Sequence, residues 1–226
     1  MAAIPVLGYA DLERLMALQL GDEKHSRSAT STLDVIWVLY DRVLRVDPLA
    51  TTDPDRDRFL LSKGHGPMAY YAVLAAKGFI DPATLSTFGR YKSPLGHHPD
   101  RNLVPGIEIS SGSLGHGLGI AVGMALGLRA RRSPARVFCL VGDAELEEGS
   151  NWEAVQLAGR LGLERLTTVV VDNHSSTYGW PGGVERRFEL EGWSAARVDG
   201  RDHDALEDAL AVVAAQPRCV VAGIAR

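Results

Sequence analysis

Apolar residues recur at helical spacing in two stretches near the start of the chain. Asp11 to Leu20 is the first, and Thr32 to Val46 the second, where Leu33, Ile36, Trp37, Tyr40, Val43 and Leu44 share one face. Pro48 and the polar run Thr51 to Asp57 end that second helix. A short apolar run, Phe59 to Leu61, leads into Lys63-Gly64-His65-Gly66 and then an apolar stretch from Met68 to Lys77. This order predicts a strand, a glycine turn and a helix. Tyr91 to Ser113 is rich in Gly, Pro, His and Ser and has no period, so it is read as a long loop or linker, with its length favouring a functional loop.

The second half is more regular. Strands are expected at Val137 to Val141, Leu166 to Val171, Ala195 to Val198 and Cys219 to Ile224, with helices at Trp152 to Leu161 and Asp204 to Ala215. Val-rich runs separated by helices indicate an α/β fold, with a mostly parallel central sheet and helices on both faces. Leu114 to Leu128 carries glycines at 115, 117, 119, 123 and 127. These lower helix propensity but let backbones approach closely, so the expectation is a tightly packed, buried helix.

The 226 residues suffice for one core, and the expected organisation is a single domain over 1–226, with residues 1–20 as a peripheral N-terminal helix. A net charge of -4, with basic residues dispersed apart from Arg129, Arg131 and Arg132, argues against nucleic acid as a partner. No apolar stretch matches a membrane span and Met1 to Leu20 lacks the pattern of a secretory signal, so the expected location is cytoplasmic. Cys139 and Cys219 sit inside apolar runs without CxxC spacing and read as core residues.

Candidate chemistry centres on Asp143 and Asn173, each directly after a predicted strand. Ligands of parallel sheets gather at the carboxyl ends of strands, so the two can meet. A carboxylate with an amide carbonyl suits Mg²⁺ or Ca²⁺, and so sparse a set needs further ligands from water and a phosphate group, which implies a diphosphate cofactor. Taken singly, Asp143 reads as a helix cap and Asn173 as a turn residue. Asp202-His203-Asp204 reads as the capped start of a helix rather than a metal cluster. Trp37, Tyr70 and Tyr71 read as core or subunit-contact aromatics.

Together these residues resemble the thiamine diphosphate signature of transketolases, a Gly-Asp-Gly followed by a later Asn. Asp57-Arg58-Phe59-Leu60-Leu61-Ser62-Lys63-Gly64-His65-Gly66, Gly96-His97-His98-Pro99-Asp100, Gly112-Ser113-Leu114-Gly115-His116-Gly117 and Glu148-Gly149 through Ala158-Gly159 resemble transketolase segments in the family's order. The resemblance implies a thiamine diphosphate-binding fold in which Asp143, the Asn173 side chain and the Ser175 carbonyl hold the metal. It further implies that Gly142, Ala144 and His65 lie beside the diphosphate, that Gly112, Ser113 and Leu114 contact the aminopyrimidine, and that His25 and His98 act on substrate. Three departures stand out: Ala144 replaces the second glycine, His116 stands where Gln is usual, and Ser26-Arg27-Ser28 replaces what usually follows His25. A residue with φ > 0 at Ala144 would be strained.

The family's catalytic glutamate belongs to a second, pyrimidine-binding domain, and the resemblance implies that this chain stops before it. The resemblance also implies that the chain lacks the segment after the last strand, which carries another active-site histidine in the family. The expectation is therefore a split enzyme, a heterotetramer with a C-terminal, pyrimidine-binding subunit. It would transfer a two-carbon ketol or acyl-anion unit from a ketose or 2-oxo acid donor to an aldehyde acceptor. Another thiamine diphosphate-dependent ligase or decarboxylase of 2-oxo acids, or a non-catalytic scaffold, are the alternatives.

Overall fold

Five apolar runs form strands: β1 (Arg58–Leu61), β2 (Val137–Gly142), β3 (Leu166–Asp172), β4 (Ser194–Asp199) and β5 (Arg218–Gly223). The computed structural model, which describes residues 7–19 and 26–225, pairs them all in parallel in the order β1-β2-β3-β5-β4. A parallel sheet needs cover on both faces, and alternate residues supply it. Phe59, Leu61, Phe138, Leu140, Val169, Val171, Val220 and Ala222 join one core. Leu60, Val137, Cys139, Val141, Val170, Cys219 and Val221 join the other. Burial pushes both cysteine thiols well above their usual range, as expected of inert core residues.

The first core is closed by α1 (Leu12–Ala17), α2 (Ser26–Val38), α3 (Met68–Ala76) and α7 (His203–Ala211), and the second by α4 (His116–Ala130), α5 (Gly149–Leu161) and α6 (Val184–Leu190). The α/β class with a parallel sheet and helices on both faces is thus the observed one. Helix α1 packs on α3 and buries Leu12 and Leu15 completely, so this helix belongs to the core. Helix α2 starts earlier than Thr32, and its continuation at Leu39–Val43 widens into a π-helix. Helix α7 stops at Ala211, short of Ala215. Helix α6 was not expected from sequence.

The picture of α4 needs correction. Its N-terminal end is tightly packed: a Cβ at Gly115 would strike Ser150 and Glu148, and one at Gly117 would strike Ser62. At Gly119, Gly123 and Gly127, however, a Cβ would meet nothing. Glycines four residues apart share one face of a helix, and here that face points away from the rest of the described chain. Leu118, Ala121, Val122, Ala125 and Leu128 form the buried face instead.

The amino end of the sheet is clasped by Asp57, whose side chain is fully buried. One oxygen accepts from Arg45 (2.8 Å) and from the Arg136 amide (2.8 Å), the other from the Arg136 guanidinium (2.7 Å) and the Arg45 amide (3.0 Å). Burial alone would raise this carboxyl, but hydrogen bonds from Arg45 and Arg136 outweigh it and hold it below the usual carboxylate range.

Candidate functional site at the carboxyl ends of the strands

Strand β2 stops at Gly142, and Asp143 turns the chain into a 3₁₀ turn at Ala144–Glu147. The Asp143 amide still donates to the Val171 carbonyl (3.1 Å), so β2 and β3 stay in register to their ends, and Asn173 emerges beside it. Asp143 is 1% exposed. One of its oxygens accepts the amides of Ser175 (2.7 Å) and Ser176 (3.0 Å), and the other accepts the Ser175 hydroxyl (2.5 Å). The chain folds back to make these bonds through His174, which takes the left-handed conformation at φ 58. The Asn173 amide donates to Ser31 (3.4 Å), while its Oδ1 is buried and has no hydrogen-bond partner.

A second wall rises from the end of β1. Lys63 is 4% exposed and donates from Nζ to Ser31 Oγ (2.9 Å), the hydroxyl that Asn173 also uses. Its stem crosses Gly142 so closely that a Cβ there would lie 3.2 Å from Lys63 Cδ. Burial pushes the Lys63 ammonium down to about 8, against the pull of Asp143 and Glu145 in the other direction. His65 follows, half-buried, in the turn before α3. Gly64 touches Ser111, where a side chain would collide, and so brings in the long loop.

That loop presents Gly112 and Ser113 to solvent, with Leu114 half-buried. Gly112, at φ 141, lies against the His98 ring, which a Cβ would meet at 3.1 Å. Tyr71 holds the neighbouring backbone by donating to the carbonyls of Gly96 (3.0 Å) and His98 (3.2 Å). Among the expected site residues, then, Asp143, Asn173 and Ser175 form one group, and His98 joins Gly112 in another. Gly142, Lys63, Ser31 and Gly64 connect the two. His25 lies outside the described residues.

Ala144 carries no backbone strain, because Lys92, Arg132 and His174 are the only described non-glycine residues with positive φ. The strain conceived for a side chain at this position does not arise, since the chain enters a right-handed turn there. Three residues escaped sequence reasoning: Lys63, Glu145 and Ser31. Each reads as an ordinary polar residue in the sequence, and only burial at the strand ends marks it out. A cavity of about 360 Å³ lies alongside, lined in part by Asp143, Asp172, His174, Ser176, Trp180 and Arg197.

A hard cation suits this site on chemical grounds. The Asn173 oxygen has no hydrogen-bond partner, and Asp143 supplies a buried carboxylate at the end of the neighbouring strand. Among the described residues no group of three or more His, Cys, Asp or Glu could hold a metal alone, so a cation here would need ligands from its own cofactor. Basic Lys63 adjoins, as an anionic group would require.

A parallel α/β sheet with buried carboxylate, amide and ammonium groups at adjacent carboxyl ends defines a protein built to hold a polar ligand at its strand termini. Residues 11–220 match the family described as "Transketolase, thiamine diphosphate binding domain", and the chain belongs to that family. It is 55% identical over 203 residues to the protein named "Ferredoxin fas2" of Rhodococcoides fascians, spanning 89% of this chain and 67% of that protein. It is 34% identical over 205 residues to "6-deoxy-6-sulfo-D-fructose transketolase subunit SqwG" of Clostridium sp. (strain MSTE9), spanning 88% and 74%. A transketolase structure from Leishmania mexicana superposes with a TM-score of 0.79 at 23% identity, covering 97% of this chain and 37% of that one, a likeness of fold. Among the described residues no helix is long and apolar enough to cross a membrane.

Proposed function

We propose that the chain is the thiamine diphosphate- and metal-binding subunit of a two-component, transketolase-like enzyme that passes a two-carbon ketol or acyl-anion unit to an aldehyde acceptor. The observation that carries this reading is the buried Asn173 oxygen without a hydrogen-bond partner and the buried Asp143 carboxylate at the ends of two neighbouring strands, in a chain matched to the thiamine diphosphate-binding family over residues 11–220. The donor is a ketose or a 2-oxo acid. When bound, thiamine diphosphate supplies the stabilised carbanion character that breaking a bond beside a carbonyl demands.

The chain's own residues hold and orient. Asp143, the Asn173 oxygen and the Ser175 carbonyl grip a Mg²⁺ or Ca²⁺ ion. Asp143 now accepts three donors from Ser175 and Ser176, so the loop that would complete the metal shell is already drawn over it. Lys63 adds positive charge at the same end of the sheet, and Gly142, Ala144 and His65 border the diphosphate. Backbone from Gly112 to Leu114 meets the aminopyrimidine. His98, packed on Gly112, binds a substrate hydroxyl or moves its proton in this reading, and His25 shares that task.

A separate pyrimidine-binding subunit would supply the glutamate that bonds the cofactor's aminopyrimidine ring, in a heterotetramer in the cytoplasm. The Clostridium relative, whose name makes it one subunit of a transketolase, supports a divided enzyme. The reading is tested by mixing the chain with a pyrimidine-binding partner, magnesium and thiamine diphosphate and assaying ketol transfer. Asp143→Ala should abolish activity of the pair, and unchanged metal and cofactor uptake by that variant refutes the assignment.

A further inference from the structure

Glu145 is 1% exposed, yet it belongs to neither group of expected ligands. Its carboxylate is surrounded by donors from three segments of chain. Oε1 accepts the Ser62 hydroxyl at the end of β1 and the Gly115 amide (2.9 Å) at the start of α4. Oε2 accepts the Gly142 amide (3.2 Å) at the end of β2, one residue before Asp143. The Ser62 oxygen accepts in turn from the Gly117 amide (3.0 Å). Glu145's own carbonyl accepts from buried Asn151 (2.6 Å), which fixes the backbone from which the carboxylate projects.

The consequence falls on the segment between Ser111 and Gly115. At one end Ser111 is wedged against Gly64. At the other, Gly115 is gripped at both backbone groups, its amide by Glu145 and its carbonyl by the Ser150 hydroxyl (3.0 Å). Gly115 stands at φ 84, and a side chain there would collide with Ser150 and Glu148, so close approach is built into both partners. Gly112, Ser113 and Leu114 thus form a short arc, held at its two ends and open in its middle. An acceptor-only carboxylate suits this role, since every group facing it is a donor and an amide in its place would set N–H against N–H.

We infer that Glu145 is a positioning residue that sets the Gly112–Leu114 arc at a fixed height relative to Asp143, and so makes the site prefer a ring-bearing diphosphate over bare pyrophosphate. The inference rests on the functional reading above, in which that arc meets the cofactor's ring while Asp143 and Asn173 meet the metal and diphosphate. Glu145 touches neither; it acts through the backbone of Gly115 and Gly142.

The test is calorimetric titration of the full chain with thiamine diphosphate and, separately, with inorganic pyrophosphate, both with Mg²⁺. The wild-type chain should bind the ring-bearing ligand more tightly. Glu145→Gln should weaken thiamine diphosphate by about tenfold, the loss of one hydrogen bond to a charged group, while pyrophosphate, which feels the change only through Gly142, weakens clearly less. Ser62→Ala, which removes one donor and leaves the charge, should shift the same ratio in the same direction by less, and serves should Glu145→Gln not fold. Equal weakening of both ligands, or none, overturns the inference, as does a wild-type chain that binds the two equally. A wild-type chain that binds neither, even when mixed with a pyrimidine-binding partner, overturns the functional reading itself.

Discussion

Lys63 donates a hydrogen bond to Ser31 across 2.9 Å, joining the turn after β1 to helix α2 through an ammonium that water scarcely reaches. Its folded value of about 8 lies below the ordinary 10.5. Between those values the unfolded chain holds the proton more often than the folded one, so stability rises with pH across the window. Below pH 8 the cost of the buried charge is fully present. Lys63→Met should therefore stabilise the cofactor-free chain near neutral pH, by about 1–3 kcal/mol, with the advantage shrinking toward pH 10.5. Chemical denaturation of both proteins at several pH values measures it. The same variant should bind pyrophosphate more weakly, because the site loses its cation.

Asp143 and Asn173 should separate binding from stability. Asp143→Ala strips the acceptor from Ser175 and Ser176, so the cofactor-free chain should lose about 1–2 kcal/mol. Asn173→Leu removes an oxygen that has no hydrogen-bond partner and one long bond to Ser31 (3.4 Å), so it should change cofactor-free stability by less than about 1 kcal/mol. Both should lose the thermal shift given by Mg²⁺ with thiamine diphosphate, which in the wild type is worth about 2.7 kcal/mol at a hundred times Kd. A retained shift in Asn173→Leu speaks against that side chain as a metal ligand.

Asp57 should behave in the opposite way. Asp57→Asn leaves Arg45 and Arg136 facing a neutral group at a buried position, with an expected loss of about 3–5 kcal/mol. Its depressed carboxyl contributes stability that is present above the ordinary carboxylate range and lost as pH falls through the folded value. Acid unfolding of the variant should accordingly be shallower than that of the wild type. Affinity for thiamine diphosphate in the surviving folded fraction should not change.

Ala144 offers a milder comparison. Since its backbone is right-handed, Ala144→Gly should destabilise the chain by about 0.5–1 kcal/mol through the unfolded state alone. A gain in stability from this change would show that the methyl group is crowded.

Continuous Val-rich runs and helical periods made the parallel sheet legible, because β2 and β3 bury every residue while helices such as α5 and α7 bury one face. Helix α6 stayed hidden for a physical reason. Its sequence Val-Glu-Arg-Arg-Phe-Glu-Leu is mostly charged, and only Val184 and Phe188 reach the core. Arg187, which reads as a surface charge, sits over the rings of Trp152 (4.3 Å) and Trp180 (5.2 Å). The glycines of α4 misled because spacing does not say which face a helix turns inward. Asp143 and Asn173 were legible from their positions after strands and from the family pattern. Lys63 and Glu145 were not, since a buried charge is visible only once the groups that surround it are brought together by the fold.

Strands β1 and β2 carry Asp57 at their start and the residues proposed to hold ligand at their finish. Mechanical integrity and chemistry therefore occupy opposite poles of one pair of ribbons. Substitutions among Lys63, Asp143 and Ala144 can retune what the protein recognises without loosening the clasp that keeps it folded, which gives such a scaffold latitude to acquire new substrates.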